Sequence, residues 1–224
     1  MQKSIVYGTQ FSPFVKKVVA TLKLKGVEYT VEHVNPKQPT QKFAEISHLG
    51  KIPAFEDDQV TLYDSSVICD YLEQRYPENS LYPTDIISRA KVLQFEEYAD
   101  TKLFELLGAG IVYERFVKPY FLQEKPDEQI CNDILNNLLP IELKYLNDNI
   151  KATFLLSDDL TIADITIGAI FLASSYAGYT VNKDDFPQVA SYINNIWSTN
   201  VFKEIAQEDK ARMEALLKAS RQVS

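Results

Sequence analysis

Residues 4–26 read SIVYGTQFSPFVKKVVATLKLKG. The run up to Tyr7 is apolar enough for a buried strand, and the apolar residues after Ser12 repeat at helical spacing. Proline is favoured at the first position of a helix and serine directly before it, so Ser12 is predicted to cap a helix that begins at Pro13. A helix start gathers unpaired N–H groups and the positive end of the dipole, which suits an anion such as a thiolate.

A second signal lies at Gly50-Lys51-Ile52-Pro53 and the residues that follow. Residues 54–56 and 60–63 flank the turn-forming pair Asp57-Asp58, which predicts a β-hairpin. Pro53 opens the first strand of this hairpin, where it costs no ladder hydrogen bond and can follow a cis peptide bond.

A second capped helix is predicted after the hairpin. Asp64 or Ser65 precedes apolar residues at helical spacing, and this pattern ends before Pro77. The start of this helix is therefore a second place where an anion would be stabilised.

The order of strand, capped helix, strand, short helix, Ile-Pro, hairpin and capped helix is that of a thioredoxin-like domain. The chain resembles the cytosolic glutathione transferases of the serine type over nearly its whole length. Ser12-Pro13-Phe14, Gly50-Lys51-Ile52-Pro53 and Asp64-Ser65 stand where that family keeps its tripeptide-binding motifs. The resemblance implies an α/β thioredoxin-like N-terminal domain followed by an all-α helical C-terminal domain.

The composition divides the chain at residues 76–83. Strands and helices alternate before this segment, and helical periodicity dominates after it. We expect a glutathione-binding domain over residues 1–78 and a helical domain, which contributes the electrophile pocket, over residues 84–224. The predicted helices of the second domain are Asp85–Val117, Asp127–Asn149 with a kink at Pro140, Ala163–Ala177, Pro187–Phe202 and Asp209–Ser220.

A third motif lies in the helical domain, where Leu160–Ile165 resembles the family's capping-box segment. Thr161 is predicted to cap the helix while Asp164 accepts a hydrogen bond from the Thr161 N–H. The residues that follow are apolar on all sides, which indicates a buried central helix. Asp164 is therefore expected to be structural.

The resemblance implies an enzyme of detoxification that joins glutathione, as co-substrate, to small hydrophobic electrophiles. It implies that the catalytic residue is Ser12, whose hydroxyl would stabilise the glutathione thiolate. The implied glutathione-binding residues are Phe14, Lys51, Ile52, Pro53, Asp64 and Ser65. Simple helix capping would also explain Ser12, Asp64 and Ser65, and Lys51 would equally suit an exposed loop.

Tyr7 is a second candidate for the thiolate donor, because another branch of the family uses a tyrosine near the end of the first strand. The presence of Ser12-Pro13-Phe14 favours Ser12. The electrophile is not identified, because the aromatic residues that suit its pocket would suit a helical core equally well. These residues are Phe104, Tyr113, Phe116, Tyr120 and Phe121.

A function of a different class is a non-catalytic relative that resembles stringent starvation protein A, with the same fold but a role in binding partners such as RNA polymerase. The two interpretations differ in whether the glutathione pocket is kept. Ser12, Lys51, Ile52-Pro53 and Asp64-Ser65 are all present, which favours the enzyme.

Charge and composition exclude several other functions. The formal net charge of −8 argues against a nucleic-acid surface. Lys16, Lys17, Lys23 and Lys25 cluster on the first predicted helix, where we expect an ordinary solvated face. No apolar run approaches the length of a membrane span, and the first residues lead directly into a strand. These features predict a cytoplasmic protein without membrane contact, and the family implies a homodimer.

The cysteines lie far from Ser12 in the sequence. Cys69 and Cys131 fall within predicted helices, so neither suits a redox site and both are expected to be small core residues. With His33 and His48 as the only histidines, we expect no metal site.

Overall fold

A four-stranded mixed sheet forms the first part of the computed structural model, which describes residues 4–35 and 39–221. The strands are β1 (Ser4–Gly8), β2 (Tyr29–His33), β3 (Ala54–Glu56) and β4 (Thr61–Tyr63). Their order is β2-β1-β3-β4, with β1 and β2 parallel and the other pairs antiparallel. The predicted hairpin is confirmed, and the Asp57 carboxylate closes its turn by accepting from the N–H groups of Gln59 and Val60.

Helices cover both faces of this sheet. They are α1 (Pro13–Leu24), α2 (Gln41–Ile46) and α3 (Ser65–Arg75). Alternate strand residues point to opposite faces, so Val6 and Phe55 join the large core with α1 and α3. Tyr7 and Ala54 instead form a small second core with Phe43 of α2.

The remainder of the chain is helical. Its elements are α4 (Ile86–Tyr98), π1 (Ala99–Leu122), α5 (Glu128–Asp133), π2 (Ile134–Leu138), α6 (Leu139–Asn149), α7 (Ile162–Tyr176), α8 (Pro187–Trp197) and α9 (Asn200–Arg221). The two π segments hydrogen-bond with a wider spacing than an α-helix. The backbone returns from π to α geometry at Leu139, directly before Pro140, where the sequence predicts a kink.

Two predicted helix boundaries are wrong. The helical segment that begins after Asp85 continues to Leu122 rather than ending at Val117. The sequence predicts a break between Phe202 and Asp209, but α9 runs through both residues, and the break lies at Ser198 and Thr199 instead. The residues between Phe202 and Asp209 include neither glycine nor proline, so nothing in the backbone chemistry ends the helix there. At the observed break, the Thr199 C=O accepts from Lys203 and starts the new helix.

Helix α7 lies at the centre of the helical part, and its first thirteen residues are all buried, as predicted. Because Gly168 has no side chain, α8 and α9 can pack closely against α7 at this position. A Cβ atom at this position would lie 2.5 Å from Ile196 and 3.0 Å from the ring of Phe202. The indole of Trp197 also donates to the Gly168 C=O at 3.1 Å.

The carboxylate of Asp164 joins three segments in the core. One oxygen accepts from the N–H and the hydroxyl of Thr161, at 2.8 and 2.7 Å. The other accepts from the Leu155 N–H at 2.9 Å and from the Tyr192 hydroxyl at 2.8 Å. Burial raises the pKa of Asp164, although these hydrogen bonds oppose the shift. The predicted reach of Asp164 back to the Thr161 N–H is confirmed.

The lysines of α1 do not form a solvated face, and that prediction is wrong. Lys16 and Lys17 are 1% and 0% exposed. The ion pairs are Lys16 with Asp209, Lys17 with Glu96 and Asp100, Lys23 with Glu204 and Glu208, and Lys25 with Glu73. Most of these carboxylates lie on α4, π1 and α9, so the pattern along α1 does not reveal them.

We expect Asp164→Ala to lower the free energy of unfolding by about 3 kcal/mol or more, because it leaves several buried donors without an acceptor. Chemical denaturation measures this change. Asp158→Ala is the control, since the Asp158 carboxylate is exposed and accepts from Thr153 alone. An equally small loss in both variants would show that the Asp164 network does not hold the core together.

Candidate functional site

The two capped turns and the Ile52-Pro53 loop meet at one edge of the sheet. Ala54 is paired with Tyr7 on one side and with Tyr63 on the other. Pro53, the residue before this row, therefore lies between the turn that joins β1 to α1 and the turn that joins β4 to α3. The sheet register brings the predicted site residues together at this edge.

Ser12 caps α1, as predicted. It has an extended backbone, Pro13 occupies the first turn, and the Ser12 Oγ accepts from the Val15 N–H at 3.4 Å. This distance is long for a hydrogen bond, so the hydroxyl is loosely held. Ser12 is partly exposed, and its hydroxyl proton is available to an acceptor outside the helix.

Gly8 brings α1 close to the loop before β3. A Cβ atom on Gly8 would lie 2.5 Å from the Val15 side chain and 3.4 Å from Ile52. The Ile52–Pro53 peptide bond is cis, as the sequence allows, and the Ser47 hydroxyl donates to the Lys51 C=O at 2.8 Å. In the described part of the chain, the Ile52 N–H and C=O have no hydrogen-bond partner.

Asp64 has a backbone conformation that is rare for a residue with a side chain. Its φ is 79° and its ψ is 126°, which costs about 1–3 kcal/mol and is found mostly at ligand sites. Its carboxylate accepts from the N–H groups of Ser66 and Val67, at 3.0 and 3.3 Å. Asp64 is exposed at the helix start, and the next residue, Ser65, is buried.

Ser66 connects this helix start to the helical part of the chain. Its Oγ accepts from Lys17 Nζ at 2.8 Å and donates to Asp100 at 3.0 Å. Lys17 also lies 2.6 Å from Asp100 and 2.7 Å from Glu96. Burial alone would lower the pKa of Lys17, but the two carboxylates outweigh burial and raise it.

Sequence reasoning missed this cluster. One signal for it is the position of Lys17 on α1. Lys17 lies on the same face of the helix as Thr21, one turn later, and both residues are buried.

The remaining predicted binding residues differ in their surroundings. Lys51 is exposed, as is the nearby His48. Phe14 is partly buried, and its ring lies 4.4 Å from that of Phe104, between ring centres. Phe14 therefore contacts the helical part of the chain.

The hydroxyl of Tyr7 is already engaged. It donates to the Glu56 carboxylate at 2.6 Å, and Lys42 lies 3.0 Å from the same carboxylate. Burial and the hydrogen bond to Glu56 raise the pKa of Tyr7. A phenol whose proton is shared with a carboxylate is a weak donor to a second anion.

The aromatic residues of π1 divide into two groups. Phe116 is buried in the core, where its ring lies 5.2 Å from that of Phe11. Phe104 is partly buried, and the exposed members are Tyr113, Tyr120 and Phe121. Of these residues, Phe121 lies beside the turn that carries Ser12, because its ring centre is 6.4 Å from that of Phe11.

Both cysteines are buried and unpaired, as predicted for core residues. Burial raises the pKa of Cys69 to about 12, which keeps its thiol protonated. Within residues 4–35 and 39–221, no group of three or more histidine, cysteine or acidic side chains is arranged to hold a metal ion. Over the same residues, no helix has the length and apolar character that crossing a membrane requires.

Two family matches cover most of the chain. Residues 6–80 match the family described as the N-terminal domain of glutathione S-transferase, and residues 111–200 match its C-terminal domain. The observed architecture agrees with both, so the predicted fold class is confirmed. The domain boundaries at residues 78 and 84 stay a prediction.

Individual relatives of this chain are also named glutathione S-transferases. Glutathione S-transferase omega-1 of Mus musculus is 38% identical over 87 residues, which are 38% of this chain and 36% of that protein. The matched region thus spans about a third of the length of that relative. Glutathione S-transferase F13 of Arabidopsis thaliana is 25% identical over 215 residues, 90% of this chain and 94% of that protein.

Solved structures agree in fold. The crystal structure of a glutathione S-transferase from Rhodospirillum rubrum F11 has a TM-score of 0.82 at 27% identity. It covers 90% of this chain and 91% of its own chain.

We expect Lys17→Met to lower the free energy of unfolding by about 3–5 kcal/mol, because it leaves the buried carboxylate of Glu96 and the nearly buried carboxylate of Asp100 without their cation. Lys102→Met is the matched control, since Lys102 pairs with Glu105 at the exposed surface. Denaturant titration of both variants measures the difference. A Lys17→Met protein as stable as the control would mean that the buried pairing contributes nothing to stability.

Proposed function

Because the chain belongs to the glutathione S-transferase family, we propose that it conjugates the thiolate of glutathione to small hydrophobic electrophiles. The observation that carries this proposal is the loosely held Ser12 hydroxyl at the start of α1, beside the free backbone groups of Ile52. We place the reaction in the cytoplasm, as a step of detoxification, on the family resemblance.

The chemistry begins with the ionisation of the thiol. A free cysteine thiol has a pKa of about 8.5, and the thiolate is the nucleophile. A hydrogen bond from Ser12, together with the positive end of the α1 dipole, favours the charged form of the bound thiol. The thiolate then attacks the electrophilic carbon, and the leaving group departs with the electron pair of the broken bond.

The remaining site residues hold the tripeptide in this proposal. The N–H and C=O of Ile52 pair with its cysteinyl backbone, in the way that an added strand pairs with a sheet edge. Asp64 and Ser65 hold the γ-glutamyl end at the start of α3, and Lys51 binds the glycyl carboxylate. Pro53 shapes the loop, and Phe14 packs beneath the ligand against Phe104.

We assign the electrophile to the surface formed by the exposed aromatic residues of π1. Tyr120 and Phe121 suit this role because each combines an exposed ring with contact to the buried ring of Phe116. A hydrophobic electrophile on these rings would lie next to the turn that carries Ser12, through the contact of Phe121 with Phe11.

We also propose that the protein is a homodimer. Ile86 and Ile87 at the start of α4 are adjacent in the sequence and are 79% and 72% exposed, and exposed apolar side chains that adjoin one another suit an interface. Arg89, one turn further along α4, forms an ion pair with Asp70 of α3 at 3.0 Å, so this helix start lies beside α3. A second copy of the chain would cover this apolar surface.

For catalysis, we expect Ser12→Ala to lower kcat with an aryl halide about 10- to 100-fold, while the dissociation constant of glutathione changes little. The lost hydrogen bond matters most to the charged thiolate, so the rate falls before the affinity. Steady-state kinetics and calorimetry measure the two quantities. Tyr7→Phe is the control, and a loss of rate in Tyr7→Phe instead of Ser12→Ala would move the donor role to Tyr7. A protein that binds no glutathione would favour the partner-binding alternative.

For assembly, we expect Ile86→Glu to convert the dimer to monomers, because it places a charge within the apolar surface that the second copy covers. Sedimentation velocity measures the oligomeric state. Ile141→Glu is the matched control, since Ile141 is equally an exposed isoleucine but lies on α6. A wild-type protein that sediments as a monomer would refute the dimer.

A further inference from the structure

We propose that a buried cluster of Lys16, Asp209 and Tyr176 positions the turn that carries Ser12, so that the last helix of the chain controls the ionisation of glutathione. The inference rests on the proposed function. Lys16 and Asp209 would be positioning residues, because neither is expected to touch the substrate.

Lys16 connects the turn to the distant helix α9. Its Nζ donates to the C=O of Gln10, within the turn between β1 and α1, and to the Asp209 carboxylate. Lys16 and Asp209 are 1% and 2% exposed, and they are separated by most of the chain. The same oxygen of Asp209 accepts from the Tyr176 hydroxyl at 2.7 Å. One carboxylate therefore joins α1, α7 and α9.

The turn itself is short and has few other restraints. The Ser12 N–H donates to the Thr9 C=O at 3.0 Å, which closes the turn. The Gln10 C=O between them accepts from Lys16. The ring of Phe11 packs against Phe116 and Tyr176. Lys16 thus fixes the backbone two residues before Ser12.

The position of the Ser12 hydroxyl depends on this backbone. Its own bond to the Val15 N–H is long, at 3.4 Å, and holds the side chain weakly. A displacement of a catalytic group by about 1 Å can cost two orders of magnitude in rate. The hydrogen bond from Lys16 to the Gln10 C=O therefore also limits where the Ser12 hydroxyl can lie when it donates to the thiolate.

Asp209 is the residue that keeps Lys16 in place. Burial lowers the pKa of Lys16, while the charge of Asp209 and its hydrogen bond oppose that shift. The rings of Phe11 and Tyr176 lie 5.8 and 5.3 Å from Nζ and add a weaker attraction. Without the carboxylate, the ammonium would have to lose its proton or leave the core, and either change weakens its hold on Gln10.

The test is Asp209→Asn, with the pH dependence of kcat/KM for a chlorodinitrobenzene at saturating glutathione as the readout. We expect the midpoint of the profile, which reports the bound thiol, to rise by about one pH unit, with about a tenfold loss of rate near neutral pH. The ultraviolet absorbance of bound thiolate measures the same shift without turnover. At a pH low enough to keep the bound thiol protonated, the glutathione dissociation constant should change less than twofold.

Glu204→Gln is the matched control. It removes a carboxylate from the same helix, but Lys23 keeps its second partner, Glu208. We expect its pH profile to equal that of the wild type. A purely structural role for Asp209 would lower the unfolding temperature of Asp209→Asn and leave the profile of the folded protein unchanged, which would overturn the inference.

A triple variant covers the case in which Asp209→Asn fails to fold. It combines Lys16→Met, Tyr176→Phe and Asp209→Leu, which replace the cluster by apolar side chains of similar size. Proteins often keep their stability when buried charged groups are replaced together in this way. We expect a folded protein with the raised midpoint, because Gln10 still lacks its donor. An unshifted midpoint would refute the positioning role. A wild-type protein that forms no thiolate would refute the proposed function instead.

Discussion

The pairing of the α1 lysines with carboxylates is the interaction on which the rest of the structure depends. Lys17 joins α1 to α4 and π1, and Lys16 and Lys23 join it to α9. One short helix is thereby fastened to both ends of the helical part. Because Ser12 caps this helix, the frame around the candidate site is set by contacts that lie behind it. The net charge of −8 gives no sign that carboxylates of the helical part pair with lysines of α1.

These buried charges are better explained by specificity than by stability. A buried ion pair often gains little over well-packed apolar side chains, because both charges lose their hydration. A lysine without its carboxylate is strongly disfavoured, however, so an arrangement of the two parts that separates Lys17 from Asp100 is excluded. We infer that the pairing of Lys17 with its carboxylates restricts the helical part to one packing arrangement on the sheet. The strained backbone of Asp64 is held in the same way, since Ser66 belongs to the cluster.

The sequence predicts the site edge well because its signals are local. Ser12 before Pro13, the Ile52-Pro53 pair and Asp64 before an apolar helix each describe a few adjacent residues, and all three turns have the predicted form. The interpretation of the lysines is wrong because their partners are distant in sequence: Asp209 lies on the last helix, 193 residues after Lys16. The break at Ser198 and Thr199 is likewise not marked by glycine or proline. Distances between the site residues and the identity of the electrophile are not encoded in any local pattern.

The absence of a side chain at Gly168 limits how this architecture can diverge. Ile196 and Phe202 occupy the space that any larger residue would need. The segment between α8 and α9 can therefore pack against the central helix only while residue 168 is glycine. The exposed rings of Tyr113 and Tyr120 are under no such restriction. Exchange of these surface rings would therefore leave unchanged the angle at which the terminal helix returns to α1.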